Sequence, residues 1–95
     1  MLENTYAIAK GTPMETIART PLQLGSYIRE RRHQLGFTQQ QLATKIGVQQ
    51  RTISLLETSA SARVATVLRV LSALNLELVL RPRTKGSAKE FEAIF

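Results

Sequence analysis

Four side chains near the middle of the chain, Gln49, Gln50, Arg51 and Ser54, are of types that read hydrogen-bonding edges. A glutamine amide pairs bidentately with adenine, an arginine guanidinium pairs with guanine, and a serine hydroxyl meets either a phosphate or a base edge. A role in core packing explains none of the four. They cluster toward the N-terminal end of a helix that the surrounding spacing predicts, and that is the end from which a helix lying in the major groove of DNA presents its side chains.

The residues around them supply the frame such a helix needs. Ala43 is small where two helices must cross closely, Gly47 supplies a left-handed turn, and Val48, Ile53 and Leu56 hold the second helix against the first. The stretch 39–57 therefore reads as a helix-turn-helix. Upstream, Thr20-Pro21 opens a first helix over 21–35, since threonine caps free amides and proline in the first turn lacks a donor that would have no partner. Leu24, Ile28 and Leu35 share its inner face, and Gly36 ends it. Thr38 with Gln41 three residues on forms a capping box for the second helix, whose inner face is Leu42, Ala43 and Ile46. The third helix is expected over 49–57. A fourth, over 62–74, shows Val64, Val67, Leu68, Leu71 and Leu74 at steps of three and four, with Ser59 or Ser61 as its cap and Asn75 as its left-handed stop.

After Asn75 the period changes from 3.6 to 2. Leu76, Leu78 and Leu80 alternate with Glu77, Val79 and Arg81, which predicts a short strand. A lone strand leaves its backbone unpaired, so the same strand of a second copy is its simplest partner, and a two-fold dimer follows through Leu76, Leu78 and Leu80. Pro82 stops the strand and a basic stretch follows it. Phe91, Ile94 and Phe95 are apolar at helical spacing but too few to fold alone, and read as a docking segment.

Composition bounds the function. In 95 residues there is room for one modest domain, and 43% apolar with 21% charged residues is ordinary for a folded chain. The chain has no cysteine, so disulfides and thiolate metal sites are excluded. No signal-peptide pattern or membrane-length apolar run is present, which makes the cytoplasm the expected location. Thirteen Lys and Arg against seven Glu give a net charge of +6. Residues 1–20 are balanced, and the excess sits on 21–80 and on the last fifteen residues. Such a charge attracts polyanions without choosing among them. No nucleophile, base or metal-ligand cluster is visible, so neither an enzyme nor a cofactor is expected, and the single His33 reads as a surface residue. Arg29 and Arg31 read as solubilising, with phosphate contact the sharper alternative.

From Pro21 to Asn75 the chain resembles the phage-repressor, or lambda-repressor-like, helix-turn-helix proteins of the XRE type. The resemblance rests on Arg32, Gly36-x-Thr38-Gln39, Leu42-Ala43, Gly47-Val48, Thr52-Ile53 and Leu56-Glu57. Within that group Pro21-x-Gln23-Leu24, Thr52-Ile53-Ser54 and the strand after helix four resemble the HipB antitoxins of HipA/HipB toxin-antitoxin systems. The resemblance implies that Gln39 and Gln40 hold phosphates at the start of helix two, that Gln49, Gln50 and Arg51 face bases, and that Thr52 and Ser54 hold the backbone or base edges. It implies a structural ion pair between Arg32 and Glu57. It also turns the apolar end, Phe91, Ile94 and Phe95, into a partner-binding tail.

The expected fold is all-α, with four to five helices and one short C-terminal strand pairing across a homodimer. Residues 1–20 form an arm without an assigned role, 21–81 the DNA-binding and dimerisation domain, and 82–95 a basic tail. The expected function is a repressor that autoregulates its operon on palindromic operator DNA and serves as antitoxin to a HipA-like serine/threonine kinase. A stand-alone repressor of the same fold is the alternative, and a pure protein-interaction module is disfavoured by the exposed Gln-Gln-Arg.

Overall fold

The computed structural model describes residues 15–59 and 61–83. Four helices follow one another in it: α1 (Pro21–Gln34), α2 (Gln39–Ile46), α3 (Gln50–Ser59) and α4 (Val64–Ala73). Each boundary has a local cause. Thr20 caps α1 by accepting a hydrogen bond from the Gln23 amide at 3.1 Å, and Pro21 sits in the first turn. Thr38 and Gln41 exchange the two bonds of a capping box, at 3.0 and 2.9 Å, at the start of α2. Three stops need a left-handed residue, and Gly36 (φ 80°), Gly47 (φ 76°) and Asn75 (φ 61°) supply it.

The core is Ile28, Leu42, Ala43, Ile53, Leu56, Val70, Leu71 and Leu74, with Leu24, Phe37, Ile46, Val48 and Val67 packed around it. α3 lies centrally, against both α1 and α2, and α4 closes over α2. Ala43 is fully buried in this core, as the helix-turn-helix reading requires of its small residue. The α1–α3 approach is closer still. A methyl group added at Gly25 would stand 2.5 Å from the Glu57 carbonyl oxygen and 2.6 Å from that of Leu56, so these helices meet backbone to backbone.

Several expectations are corrected. On α4 the core face is Val70, Leu71 and Leu74, whereas Val64 and Leu68 are 70% and 44% exposed. The apolar stripe is wider than the three helices beneath it can cover. Ser59 does not cap α4, because its hydroxyl donates back to the Leu55 carbonyl within α3 at 2.8 Å. Arg63 holds the cap position without a side-chain bond, and Ser61 is exposed outside the helix. Leu35 lies past the end of α1 and is exposed, while Arg32 takes a buried place on that face.

Residues 76–83 carry neither helix nor strand, in contrast to the expected strand over 76–81. A strand is defined by its ladder, and no second strand exists among the described residues to supply one. The segment is instead tied on at two points: Leu76 N–H donates to Leu71 O at 2.8 Å, and Arg81 meets Glu15 at 3.1 Å on the surface. Leu76, Leu78 and Leu80 are exposed, as are Val64 and Leu68. The tail residues Phe91, Ile94 and Phe95 and most of the arm lie outside the described residues.

Replacing Gly25 with alanine is expected to lower unfolding free energy by about 3 kcal/mol, at the upper end of overpacking costs, because both obstacles are backbone carbonyls. Urea titration of the variant measures it, and a loss below about 0.5 kcal/mol would mean that the helices reseat freely.

Candidate nucleic-acid interface

α2, the turn at Gly47 and α3 form the helix-turn-helix. The turn is closed by Val48 N–H donating to Ala43 O at 3.0 Å, while Gly47 N–H reaches the carbonyls of Ala43 and Thr44. Arg69 of α4 adds a hydrogen bond from its guanidinium to the Ile46 carbonyl, placing a cation at the negative end of α2. Arg31 does similar work elsewhere, donating to Leu74 O at 2.9 Å. Both arginines are therefore occupied in joining helices, which displaces the surface reading of Arg31.

α3 is held to α1 by a buried ion pair. Arg32 Nε–H donates to Glu57 Oε2 at 2.6 Å and Nη2–H to Oε1 at 3.1 Å, with the two side chains 7% and 1% exposed. Two further donors are used on Phe37 O at 2.7 Å and on His33 Nε2 at 3.0 Å. A guanidinium cannot accept, so His33 Nε2 is the acceptor in that contact. No buried side-chain nitrogen or oxygen among the described residues lacks a partner. This matters because a buried ion pair is tolerated only when its remaining hydrogen-bonding capacity is met.

The site residues join this pair at the protein surface. Gln39 Nε2 donates to Glu57 Oε1 at 3.1 Å, and Gln50 Nε2 donates to Gln39 Oε1, also at 3.1 Å. Gln50 is the first residue of α3 and is exposed, with Gln49 and Arg51 exposed on either side of it and Thr52 and Ser54 half-buried behind. Gln40 turns away from this group and donates to Thr44 Oγ1 at 3.0 Å. The structure thus gathers Gln39, Gln49, Gln50 and Arg51 at the start of α3 and leaves Gln40 on the outer face of α2.

Two supporting positions were missed from sequence alone. Gly25 carried a signal, since a glycine inside a helix costs about 1 kcal/mol and persists where a packing reason exists. Arg69 carried none, because its target is a main-chain carbonyl 23 residues away.

The arrangement leaves a polar edge open at the start of α3 in a helix-turn-helix, and comparison with known families identifies the same motif. A family model described as Helix-turn-helix matches residues 28–80, more than half of the chain. The chain belongs to the XRE-type helix-turn-helix family. Within this family it is HipB-like. A HipB-O4 20mer complex is 33% identical over 75% of this chain and 100% of that chain, with a TM-score of 0.68. A HipB-O1-O2 complex is 35% identical over 72% and 99%, at 0.64. A HipA-HipB-O2-O3 complex contains a chain 36% identical over 76% and 100%, at 0.65. No curated protein matches. Among the described residues no helix is long and apolar enough to cross a membrane, and no group of His, Cys, Asp or Glu is placed to hold a metal ion.

Replacing Arg32 with methionine leaves the Glu57 carboxylate buried without its counter-charge. This XRE-type domain is expected to lose about 3 to 5 kcal/mol of stability. Chemical denaturation followed by circular dichroism reads the loss, and a value within about 0.5 kcal/mol of zero would show that the pair contributes nothing.

Proposed function

We propose that the chain is a transcriptional repressor that binds a palindromic operator as a homodimer, autoregulates its operon, and acts as antitoxin to a HipA-like serine/threonine kinase toxin. The observation that carries the reading is the exposed Gln49-Gln50-Arg51 edge at the start of α3, on a fold shared with the HipB chain of a HipB-O4 20mer complex. Gln49, Gln50 and Arg51 read base edges in the major groove, and Thr52 and Ser54 hold the backbone or base edges beside them. Gln39 and Gln40, at the positive end of α2, steady the phosphates. The kinase partner is favoured by the likeness to the chain in the HipA-HipB-O2-O3 complex. Operator DNA places this activity in the cytoplasm.

Dimerisation gives the uncovered apolar surface a role. Val64 and Leu68 on α4 and Leu76, Leu78 and Leu80 beyond it are exposed in the single chain. A second copy pairing along 76–81 would complete a strand ladder and cover these side chains together. The tail after Pro82, with Phe91, Ile94 and Phe95, is assigned to the kinase partner.

Two recognition helices related by a two-fold axis sit about 34 Å apart, so footprinting should find an inverted repeat spaced by one helical turn. Gln50→Ala is expected to cost about 1 to 3 kcal/mol at one base pair of each half-site and little elsewhere. A single asymmetric footprint, or an equal loss at every position, would defeat this reading. Leu78→Glu combined with Leu80→Glu should yield a monomer in sedimentation while leaving the helical signal intact. A variant that stays dimeric would remove 76–81 from the interface. Purification of the chain from its own host should bring down a kinase, and a dimer recovered alone would leave a stand-alone repressor.

A further inference from the structure

The hydrogen bonds running from Arg32 to Gln50 have a direction. A guanidinium carries only donors and an ionised carboxylate only acceptors. Glu57, paired with Arg32 at 2.6 Å, can therefore meet Gln39 only through an N–H, and Gln39 Nε2 donates to it at 3.1 Å. That orientation turns the Gln39 carbonyl outward, where it accepts from Gln50 Nε2 at 3.1 Å. Gln50 spends one amide N–H on Gln39 and keeps its Oε1 and its second N–H for a ligand. One acceptor beside one donor is the pair that matches the N6–H and N7 of adenine.

We propose that Glu57 is a positioning residue for base reading: its buried carboxylate, able only to accept, sets the polarity of the Gln39 and Gln50 amides and so the base that Gln50 prefers. The inference rests on the DNA-binding reading above. An amide has two nearly isosteric ends, and packing alone discriminates poorly between them. The fixed charge of Glu57 chooses one end for Gln39, and Gln39 chooses one for Gln50. An amide in place of Glu57 reverses the order. Arg32 would draw the carbonyl end of the new side chain, its NH2 would face Gln39, and both glutamines would invert. Gln50 would then present two N–H donors, which match the O6 and N7 acceptors of guanine.

The test uses the full chain and duplexes of about 20 base pairs selected by the wild-type protein from a randomised library, a length that spans two successive half-sites. The base pair under Gln50 is the one whose discrimination Gln50→Ala abolishes. Four duplexes differing only there are titrated with wild type, E57Q and Q39L by fluorescence anisotropy. Wild type should prefer adenine. E57Q should move the preference toward guanine, changing the adenine-to-guanine affinity ratio by about tenfold. Q39L cuts the chain with the ion pair intact, so it should lose about as much discrimination as Gln50→Ala, and combining the two should add little. Thermal melts report whether E57Q folds, and Q39L decides the matter if it does not. Folded E57Q with the wild-type ratio, Q39L weakening all four duplexes by one factor, or a wild-type preference for another base would each overturn the proposal. Failure of the wild type to enrich any sequence would instead remove the DNA-binding reading beneath it.

Discussion

The close approach of α1 to α3, fastened by Arg32 and Glu57, is the constraint on which this small protein depends. Gly25 lets the backbones meet, and the two charged side chains lock the contact a turn or two further along. Moving both charges out of water costs several kcal/mol for each, and the geometry offsets this with a bidentate bond and with partners at Phe37, His33 and Gln39. A hydrophobic pair could fill the same volume. It could not extend a hydrogen-bonded path to the surface, and here that path ends at the first residue of α3.

The rest of the fold serves to hold α3 in place. Its inner side chains, Ile53 and Leu56, are fully buried between α1 and α2, while its N-terminal end is left open. α4 contributes little to that open end directly. It seals the core through Val70, Leu71 and Leu74, and Arg69 braces the last carbonyl of α2 just before the turn. A rigid scaffold behind an exposed edge is what direct readout needs, because bidentate pairing with a base tolerates little error in side-chain direction.

Much of this was legible in the sequence, and for local reasons. Caps and left-handed stops depend on a few neighbouring residues, so Thr20-Pro21, Thr38 with Gln41, Gly36, Gly47 and Asn75 could be placed without knowing the fold. The exposed start of α3 could be read because Gln49, Gln50 and Arg51 interrupt an apolar pattern. The outward side of α4 could not. Periodicity shows that a stripe exists but not how much of it neighbours will cover, and Val64 and Leu68 fall beyond the reach of α2. Ser59 illustrates another limit, since a serine hydroxyl can serve the helix behind it as readily as the one ahead. The period-2 stretch at 76–81 signalled a preference for extended backbone, yet a ladder depends on a partner outside the chain. The link from Glu57 to Gln39 joins residues 18 apart and carries no local signature.

The turns between helices bear on how fast the domain forms. Residues 35–38 and 47–49 are all that separate α1 from α2 and α2 from α3, and four residues separate α3 from α4. Closing such short loops costs little entropy, and helical domains built from near neighbours fold in about microseconds to milliseconds. Refolding after dilution from denaturant should therefore be limited by helix docking. A newly made chain would reach its folded helical form well within the time needed to synthesise the next one.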